Sequence, residues 1–275
     1  MKLAFSTNAF RKYSIEESIR KISDAGYKAV ELMCDTPHAF PPLSQSKINS
    51  IKHVLGENKM VISNLNGFMM CAVKDFHHPS WIEKNPEYRQ QRINHTIQCL
   101  ELAGYLGAKT VSTEPGGPLD GISRENAFEI FKQGLDEVLP VAQKNKVKLL
   151  IEPEPGLLIE TSSQFLKFIS QCNTKYLGLN FDIGHFYCVK EDPSKLIKLL
   201  KDHISHIHLE DISENRVHRH LIPGKGAIDF AAVFTALSEI DYGGFVTIEL
   251  YPYQDNPEHA AREAMKFLTS LNLSC

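Results

Sequence analysis

The sequence of 275 residues has little that would place it in a membrane, on nucleic acid or in an oxidising compartment. It contains no apolar run of about 20 residues, the length that a membrane span requires. Its start, MKLAFSTNAF, turns polar too early for a signal peptide. The six cysteines form no C-x-x-C pair, which favours reduced, mostly buried thiols of a cytoplasmic protein. The net charge of −3 lacks the basic excess that general nucleic-acid binding needs.

Glycine is also absent where a nucleotide-binding fold would use it. An open, doubly wound sheet usually has a glycine-rich phosphate turn directly after its first strand. Here the first apolar run, residues 2–7, is followed by NAFRKYS, which contains no glycine. This absence argues against the open sheet, which is the main rival among α/β folds.

Short apolar runs alternate with longer amphipathic stretches, and no low-complexity linker interrupts them. The apolar runs predict strands at 2–7, 29–33, 60–66, 109–113, 147–152, 176–182, 204–210 and 245–250. The amphipathic stretches predict helices at 14–25, 44–56, 90–106, 124–144, 162–170, 193–201, 228–239 and 257–270. Ser14 and Glu17 predict a capping box at the first helix. Eight strands, each followed by a helix, predict an α/β fold, a (β/α)8 TIM barrel, as a single domain over residues 1–275.

Two of the predicted strand-to-helix connections are long. Residues 67–89 follow the third strand and contain Trp81, and residues 211–227 follow the seventh strand. Such connections lie over the active-site mouth of a barrel, so both are candidates for a lid and for substrate specificity. Trp81 is either a cover for the substrate or an anchor for its own loop.

Polar side chains end four consecutive predicted strands, where a barrel enzyme carries its chemistry. The fifth to eighth strands end at or near Glu152, Asp182, His208 and Glu249. If these side chains point inward, they meet at one mouth, and a cation is needed to offset their repulsion and desolvation. Oxygen-rich ligands with one nitrogen suit Mn²⁺, Mg²⁺, Co²⁺ or Zn²⁺. The alternative, acids that only cap neighbouring helices, explains one such residue better than four in succession.

Four histidines, at positions 206, 208, 218 and 220, lie within fifteen positions of the chain. His206 shares the inward face with His208, one layer deeper, which favours a role in the core. His218 and His220 either complete a second metal site or bind an anionic group of the substrate. Solvated loop histidines are the alternative for this pair.

Three further residues are candidates for binding substrate. Asn64 and Asn66 end the third strand and could hydrogen-bond to substrate hydroxyls. Lys225, in the turn PGKG, could bind a phosphate together with backbone N–H groups. A structural turn explains PGKG at least as well, so both interpretations stay open.

Four segments of the chain resemble one known superfamily. They are GLNFDIGH (178–185), HIHLED (206–211), RVHRHLIPGKG (216–226) and TIELYP (247–252). Their pattern resembles the xylose isomerase-like TIM-barrel superfamily, which includes sugar phosphate isomerases and epimerases and AP endonuclease family 2. The resemblance covers most of the chain as an order of strands and helices, and its specific motifs lie in residues 147–252. It implies a metal-dependent enzyme.

In the epimerase branch of this superfamily, one divalent metal binds Glu, Asp, His and Glu. The resemblance places these ligands at Glu152, Asp182, His208 and Glu249. It also implies that the two glutamates act as acid and base on opposite faces of the substrate. His185 is implied to contact the substrate or a second metal. We therefore expect Glu152, Glu249 and His185 to be catalytic.

Residues 217–220 (VHRH) resemble a Val-Asp-Arg-His segment of endonuclease IV, whose Asp and His bind a further zinc. This resemblance implies a second metal site at His185, His218 and His220, or a substrate-binding role for His220. The nuclease also uses histidines after earlier strands. At the corresponding places this chain has Asn64, Asn66, Thr113 and Glu114. These departures argue against a cluster of three zinc ions.

The residues and the resemblance together predict a divalent-metal-dependent isomerase or epimerase of a small sugar, sugar phosphate or related polyol. Proton transfer beside a carbonyl would pass through an enediolate that the metal stabilises. Three alternatives stay open: a sugar-acid or inositol-type dehydratase, an endonuclease IV-like phosphodiesterase, and a barrel that only binds ligand. We expect a small carbohydrate-like substrate and neither a membrane nor a nucleic-acid partner. Homo-oligomer formation and the choice among Mn, Zn, Co and Mg stay open.

Overall fold

The predicted strands close into a parallel barrel in which each strand pairs with the next along the chain. The computed structural model describes residues 1–68 and 76–271. The strands are β1 (Lys2–Ser6), β2 (Ala29–Met33), β3 (Val61–Asn66), β4 (Thr110–Thr113), β5 (Lys148–Ile151), β6 (Leu177–Asp182), β7 (Ile204–Leu209) and β8 (Phe245–Ile248). Pairing of β8 with β1 completes the ring. The predicted TIM barrel is therefore confirmed.

Helices connect the successive strands. They are α1 (Ile15–Asp24), α2 (Gln45–Glu57), α3 (Pro86–Leu106), α4 (Arg124–Asn145), α5 (Ser162–Ile169), α6 (Ile183–Cys188), α7 (Pro193–Leu200), α8 (Phe230–Glu239) and α9 (Pro257–Ser270). Short 3-10 helices, Thr7–Phe10 and Tyr251–Tyr253, lie after β1 and β8. In the described part of the chain, no helix combines the length and the apolar character that a membrane crossing requires.

The start of α1 follows the predicted local chemistry. The side chain of Ser14 accepts a hydrogen bond from the N–H of Glu17, and the Glu17 carboxylate accepts one from the N–H of Ser14. These reciprocal bonds satisfy two N–H groups that a helix start would leave unpaired. The predicted capping box is confirmed. Ser123 caps α4 in a similar way, because its hydroxyl accepts from the N–H of Asn126.

The strands are covered on both faces. Every residue of β2 and of β6 is buried, as expected for parallel strands with side chains inside the ring and helices outside it. Aromatic rings fill part of the layer between helices: Phe131 of α4 and Phe168 of α5 stack with centroids 5.2 Å apart. Apolar packing therefore stabilises the barrel, and polar residues lie at its mouth.

Two helix predictions need correction. Helix α3 begins at Pro86, not at residue 90, because Asn85 caps it and its polar first turn carries no apolar repeat. Helix α6 was not predicted, since six residues are too few to show an amphipathic period. The connection predicted over residues 67–89 therefore ends at Asn85. Its residues 69–75 lie outside the described residues.

Two buried side chains tie the described ends of this connection to the barrel. Trp81 is fully buried and donates its indole N–H to Thr113 Oγ1 at 3.0 Å. Arg92 of α3 donates to the carbonyls of Gly67 and Phe68 at 3.0 and 2.7 Å, and its Nε donates to the Pro79 carbonyl at 2.9 Å. Of the two roles considered for Trp81, these contacts match the anchor.

The described cysteines are free thiols. Cys34 and Cys99 are buried, whereas Cys172 and Cys188 are half-buried. The expectation that most cysteines are buried thus holds for two of these four. Cys71 and Cys275 lie outside the described residues.

Candidate metal centre

The barrel brings Glu152, Asp182, His208 and Glu249 to one point. One potential ligand atom from each lies within 4.8 Å of the other three, and all four side chains are buried. Asp182 and His208 are register partners near the ends of β6 and β7, and the two glutamates directly follow β5 and β8. Parallel strands that end on one rim, with every second side chain inward, produce this convergence.

One ring nitrogen of His208 faces all three carboxylates. Its Nδ1 lies 2.8 Å from Glu152 Oε1, 3.7 Å from Glu249 Oε2 and 3.9 Å from Asp182 Oδ2. Among the described residues, Asp182 Oδ2 has no hydrogen-bond partner although it is buried. A buried, unpartnered oxygen beside two more carboxylates and one imidazole is a donor set that fits Mn²⁺, Mg²⁺, Co²⁺ or Zn²⁺.

The electrostatics of the cluster also call for positive charge. Burial raises the pKa of Glu249 well above its ordinary value, and burial likewise raises the pKa of Glu152. Burial lowers the pKa of His208, but the charges of Glu152, Glu31 and Glu249 outweigh it and raise that pKa well above the ordinary range. Buried carboxylates in such close contact need a compensating positive charge, which a divalent ion could supply.

Asparagine amides hold the two glutamates in place. Glu249 Oε1 accepts hydrogen bonds from Asn8 Nδ2 at 2.8 Å and from Asn66 Nδ2 at 2.9 Å. Glu152 Oε2 accepts one from Asn180 Nδ2 at 2.8 Å. These bonds leave the remaining carboxylate oxygen of each glutamate directed toward His208.

A second cluster, formed by His185, His218 and His220, adjoins the first. One ring nitrogen from each histidine lies within 4.8 Å of the other two. His218 Nε2 and His220 Nε2 are 3.2 Å apart, and His185 Nε2 is 3.7 Å from Asp182 Oδ2. Burial lowers the pKa of each of the three to about 3, so their rings are neutral at pH 7. Neutral imidazoles can bind a metal or hydrogen-bond to a substrate.

A pocket opens over both clusters. Its described lining residues are Asn66, Phe68, Phe76, Glu152, Glu154, His185, His218, His220, Glu249 and Tyr251. None of these is a lysine or an arginine. The pocket therefore combines aromatic walls with carboxylates and neutral imidazoles.

The other candidates for substrate binding have different positions. Asn66 lines this pocket, whereas Asn64 is fully buried and donates to Glu31 Oε2 and Ser112 Oγ, both at 2.9 Å. Lys225 is exposed and lines a separate surface cleft beside α9, together with Phe267. The structure does not bring Asn64 or Lys225 to the pocket.

His206 lies below the centre, as the alternation of side chains predicted. Its Nδ1 is 2.8 Å from Asn180 Oδ1, and its Nε2 is 2.8 Å from Thr247 Oγ1. Both ring nitrogens therefore have protein partners, which matches a core histidine.

Sequence reasoning missed two buried acids near the centre, Glu210 and Glu31. Glu210 groups with Asp182 and His220 within 4.8 Å, and both of its oxygens lack a hydrogen-bond partner among the described residues. Gly184 leaves room for it, since a Cβ there would lie 1.8 Å from Glu210 Oε1. The signal was the continued alternation, which places residue 210 on the face of residues 206 and 208.

A different feature of the sequence could have identified Glu31. It is the single charge in the apolar strand AVELM, and it is fully buried opposite Asn64 in the register of β2 and β3. A charge in a strand that is otherwise apolar requires a partner inside the barrel. Its Oε2 lies 2.7 Å from His208 Nε2.

Known proteins share this architecture and part of the sequence. The family model described as xylose isomerase-like TIM barrel matches residues 19–271. Inosose dehydratase of Clostridium beijerinckii is 25% identical over 288 aligned positions, which cover 94% of this chain and 90% of that protein.

Two solved structures superimpose closely. A D-tagatose 3-epimerase-like protein has a TM-score of 0.84 and 23% identity, with 98% of this chain and 97% of that chain covered. The IOLI protein with a bound zinc atom has a TM-score of 0.81 and 21% identity, with 98% of each chain covered. These likenesses show the fold, and the family model covers most of the sequence. The chain belongs to the xylose isomerase-like TIM-barrel family.

Proposed function

We propose that this protein is a divalent-metal-dependent enzyme that isomerises or epimerises a small, carbohydrate-like substrate. The observation that carries the proposal is the buried convergence of Glu152, Asp182, His208 and Glu249 at the barrel mouth. These four residues would hold one divalent ion. The names of the relatives, an inosose dehydratase and a D-tagatose 3-epimerase-like protein, support a sugar-like substrate.

Glu152 and Glu249 would transfer the protons. They follow β5 and β8, three positions apart around the ring, so they can approach a substrate from different sides. One carboxylate would remove a proton from the carbon beside a carbonyl, and the other would return a proton on the opposite face or at the neighbouring carbon. Burial raises the pKa of both carboxyl groups, which makes each a stronger base than an exposed glutamate. A bound divalent ion would supply positive charge that stabilises the enediolate.

His185 and His220 would orient the substrate. His185 Nδ1 donates to the Pro153 carbonyl at 2.9 Å, and His220 Nδ1 donates to the Glu249 carbonyl at 2.9 Å. Each donation fixes the tautomer, so that Nε2 carries the lone pair. In His220 this nitrogen also lies 3.2 Å from His218 Nε2. Both residues line the pocket, where that nitrogen can accept a hydrogen bond from a substrate hydroxyl.

The charges of the described lining of the pocket favour an uncharged substrate. Its described lining contains Glu152, Glu154 and Glu249 but neither lysine nor arginine. Phosphate and carboxylate groups are usually bound by those cations or by backbone N–H groups. We therefore place neutral ketoses and cyclic keto-polyols ahead of sugar phosphates and sugar acids.

A dehydratase is the second candidate. The likeness to inosose dehydratase favours it, over 94% of this chain. It would use the same proton abstraction beside a carbonyl, but the β-hydroxyl would leave as water. Product analysis separates the two, because dehydration lowers the substrate mass by one water and epimerisation does not.

A phosphodiesterase is the third candidate. The observation that supports it is the cluster of His185, His218 and His220. Phosphodiester hydrolysis commonly uses two or more metal ions to activate water and to stabilise the leaving oxygen. Asp182 Oδ2 and Glu210 adjoin that cluster and could share a second ion. An abasic-site DNA nicking assay with zinc-loaded protein tests this candidate directly.

The experiment that tests the lead proposal follows exchange with solvent. Protein reconstituted with Mn²⁺, Co²⁺ or Zn²⁺ is incubated in D2O with a panel of ketoses and cyclic keto-polyols. We expect one substrate to gain deuterium beside its carbonyl, and we expect chelator-stripped protein to lose this activity. Full activity of the stripped protein, with its metal content verified as negligible, would contradict the proposal.

A further inference from the structure

The carboxylate of Glu31 lies beneath the proposed metal centre and accepts hydrogen bonds from three side chains. They are His208 Nε2 at 2.7 Å, Asn64 Nδ2 at 2.9 Å and Asn66 Nδ2 at 3.4 Å. Glu31, Asn64 and His208 are fully buried, so solvent water does not reach the hydrogen bonds among them. Glu31 is thus a buried acceptor whose described partners all come from the floor of the site.

The two nitrogens of His208 have separate tasks in this arrangement. Nδ1 faces Glu152, Asp182 and Glu249, which are the proposed ligands. Nε2 faces Glu31, on the other edge of the ring. A proton held on Nε2 by a carboxylate leaves the lone pair on Nδ1, where a metal would bind.

Glu31 is poorly placed to be a metal ligand itself. Its ligand atom groups with those of His206 and His208 within 4.8 Å. Both nitrogens of His206 are occupied, however, by Asn180 and Thr247. The oxygens of Glu31 are likewise occupied by side-chain donors.

Glu31 also reaches Glu249 through one intermediate residue. The amide of Asn66 donates to Glu31 Oε1 at 3.4 Å and to Glu249 Oε1 at 2.9 Å. The same carboxylate therefore orients His208 directly and Glu249 through Asn66. Glu31 thus contacts one proposed ligand directly and a second through Asn66, and that second ligand, Glu249, also accepts a hydrogen bond from Asn8.

We propose that Glu31 is a positioning residue that fixes His208 as an Nδ1 ligand and, through Asn66, sets the orientation of Glu249. This inference rests on the proposed metal site. Carboxylate partners of metal-bound histidines typically change metal affinity by about 10- to 100-fold when they are replaced. Glu31→Gln keeps the size of the side chain but removes its charge, and it turns one acceptor into a donor that faces an asparagine amide.

The test measures zinc affinity by competition with a chromogenic chelator in the full-length wild type, Glu31→Gln and a matched control. The control is Glu114→Gln, which removes another fully buried acid that contacts Trp81 and Arg92. We expect the affinity to fall by about 10- to 100-fold in Glu31→Gln and to stay near wild type in the control. Equal affinity in the folded Glu31→Gln protein and the wild type would overturn the proposal.

A second measurement does not depend on the Glu31→Gln variant. In zinc-loaded wild type, ¹⁵N NMR of the histidine rings should show His208 with a metal-bound Nδ1 and a protonated Nε2. The signals of His208 are assigned by their loss in His208→Gln. A zinc-bound Nε2 would overturn the proposal even if Glu31→Gln does not fold. A wild type that binds no divalent ion would overturn both this inference and the proposed function. Normal zinc binding with the wrong nitrogen would overturn this inference alone.

Discussion

Glu152 and Glu249 place carboxylate oxygens within 4.8 Å of each other although they extend from strands three positions apart around the ring. This proximity underlies the proposed exchange of protons between two faces of a substrate. Because the two residues follow different strands, either carboxylate can be replaced without a change in the strand that carries the other.

Replacement of Glu249 by Gln should remove turnover and leave the fold intact. The amide oxygen of Gln can still accept from Asn8 and Asn66, so packing is kept while the base is lost. We expect initial rates to fall by about 10²- to 10⁴-fold, the usual contribution of a general acid or base. Circular dichroism and the melting temperature serve as the control for folding. A Glu249→Gln protein with the wild-type rate would refute the acid–base assignment.

Arg92 should be a large contributor to stability. It is fully buried, it donates to the carbonyls of Gly67, Phe68 and Pro79, and its Nε lies 3.4 Å from Glu114 Oε1. Arg92→Met would leave these acceptors without their donor inside the protein. We expect a loss of about 3–5 kcal/mol in the free energy of unfolding, measured with urea.

The double variant Arg92→Met/Glu114→Leu separates the contact between Arg92 and Glu114 from the remaining contacts of Arg92. It removes both partners of this contact together, so it should lose less stability than the sum of its two single variants. A loss below about 1 kcal/mol in Arg92→Met, the range of exposed ion pairs, would show that the buried contacts contribute little.

The ionisation of Glu114 should contribute to the pH dependence of the free energy of unfolding. Burial raises the pKa of Glu114 to about 8 from 4.5, despite the charge of Arg92. A carboxyl whose pKa is raised by folding stabilises the protein below its ordinary pKa, and this contribution is lost as the pH rises through the folded value. The free energy of unfolding of the wild type should therefore fall, relative to Glu114→Gln, between about pH 4.5 and pH 8. Parallel urea-unfolding profiles of the two proteins over that range would contradict the assignment.

The alternation of apolar runs and helical patterns predicts the barrel because ring closure depends on the number and order of strands. The positions of Glu152, Asp182, His208 and Glu249 follow from the same logic, since acids and imidazoles at successive strand ends share one rim. Local rules of this kind extend to the capping box at Ser14.

Contacts between distant strands could not be read from local pattern. Asn64 was expected at the substrate, but its amide is used by Glu31 of the neighbouring strand and by Ser112 of β4. Lys225 was chosen for its glycine-flanked turn, and only the path of the connection after β7 sends it to a different cleft. Glu31 was overlooked because an apolar strand with one acid looks like core until its partner, His208, is known.

Metal content per chain tests the central claim most directly. Elemental analysis is applied to wild type, Asp182→Asn and His218→Gln, purified without a chelator or a histidine tag. A single-ion centre predicts about one Mn, Co or Zn per wild-type chain, little metal in Asp182→Asn and an unchanged content in His218→Gln. Two or more ions in the wild type, with one lost in His218→Gln, would contradict the single-ion centre and indicate a multi-metal site at the histidine cluster. No bound metal in the wild type after reconstitution would contradict the account as a whole.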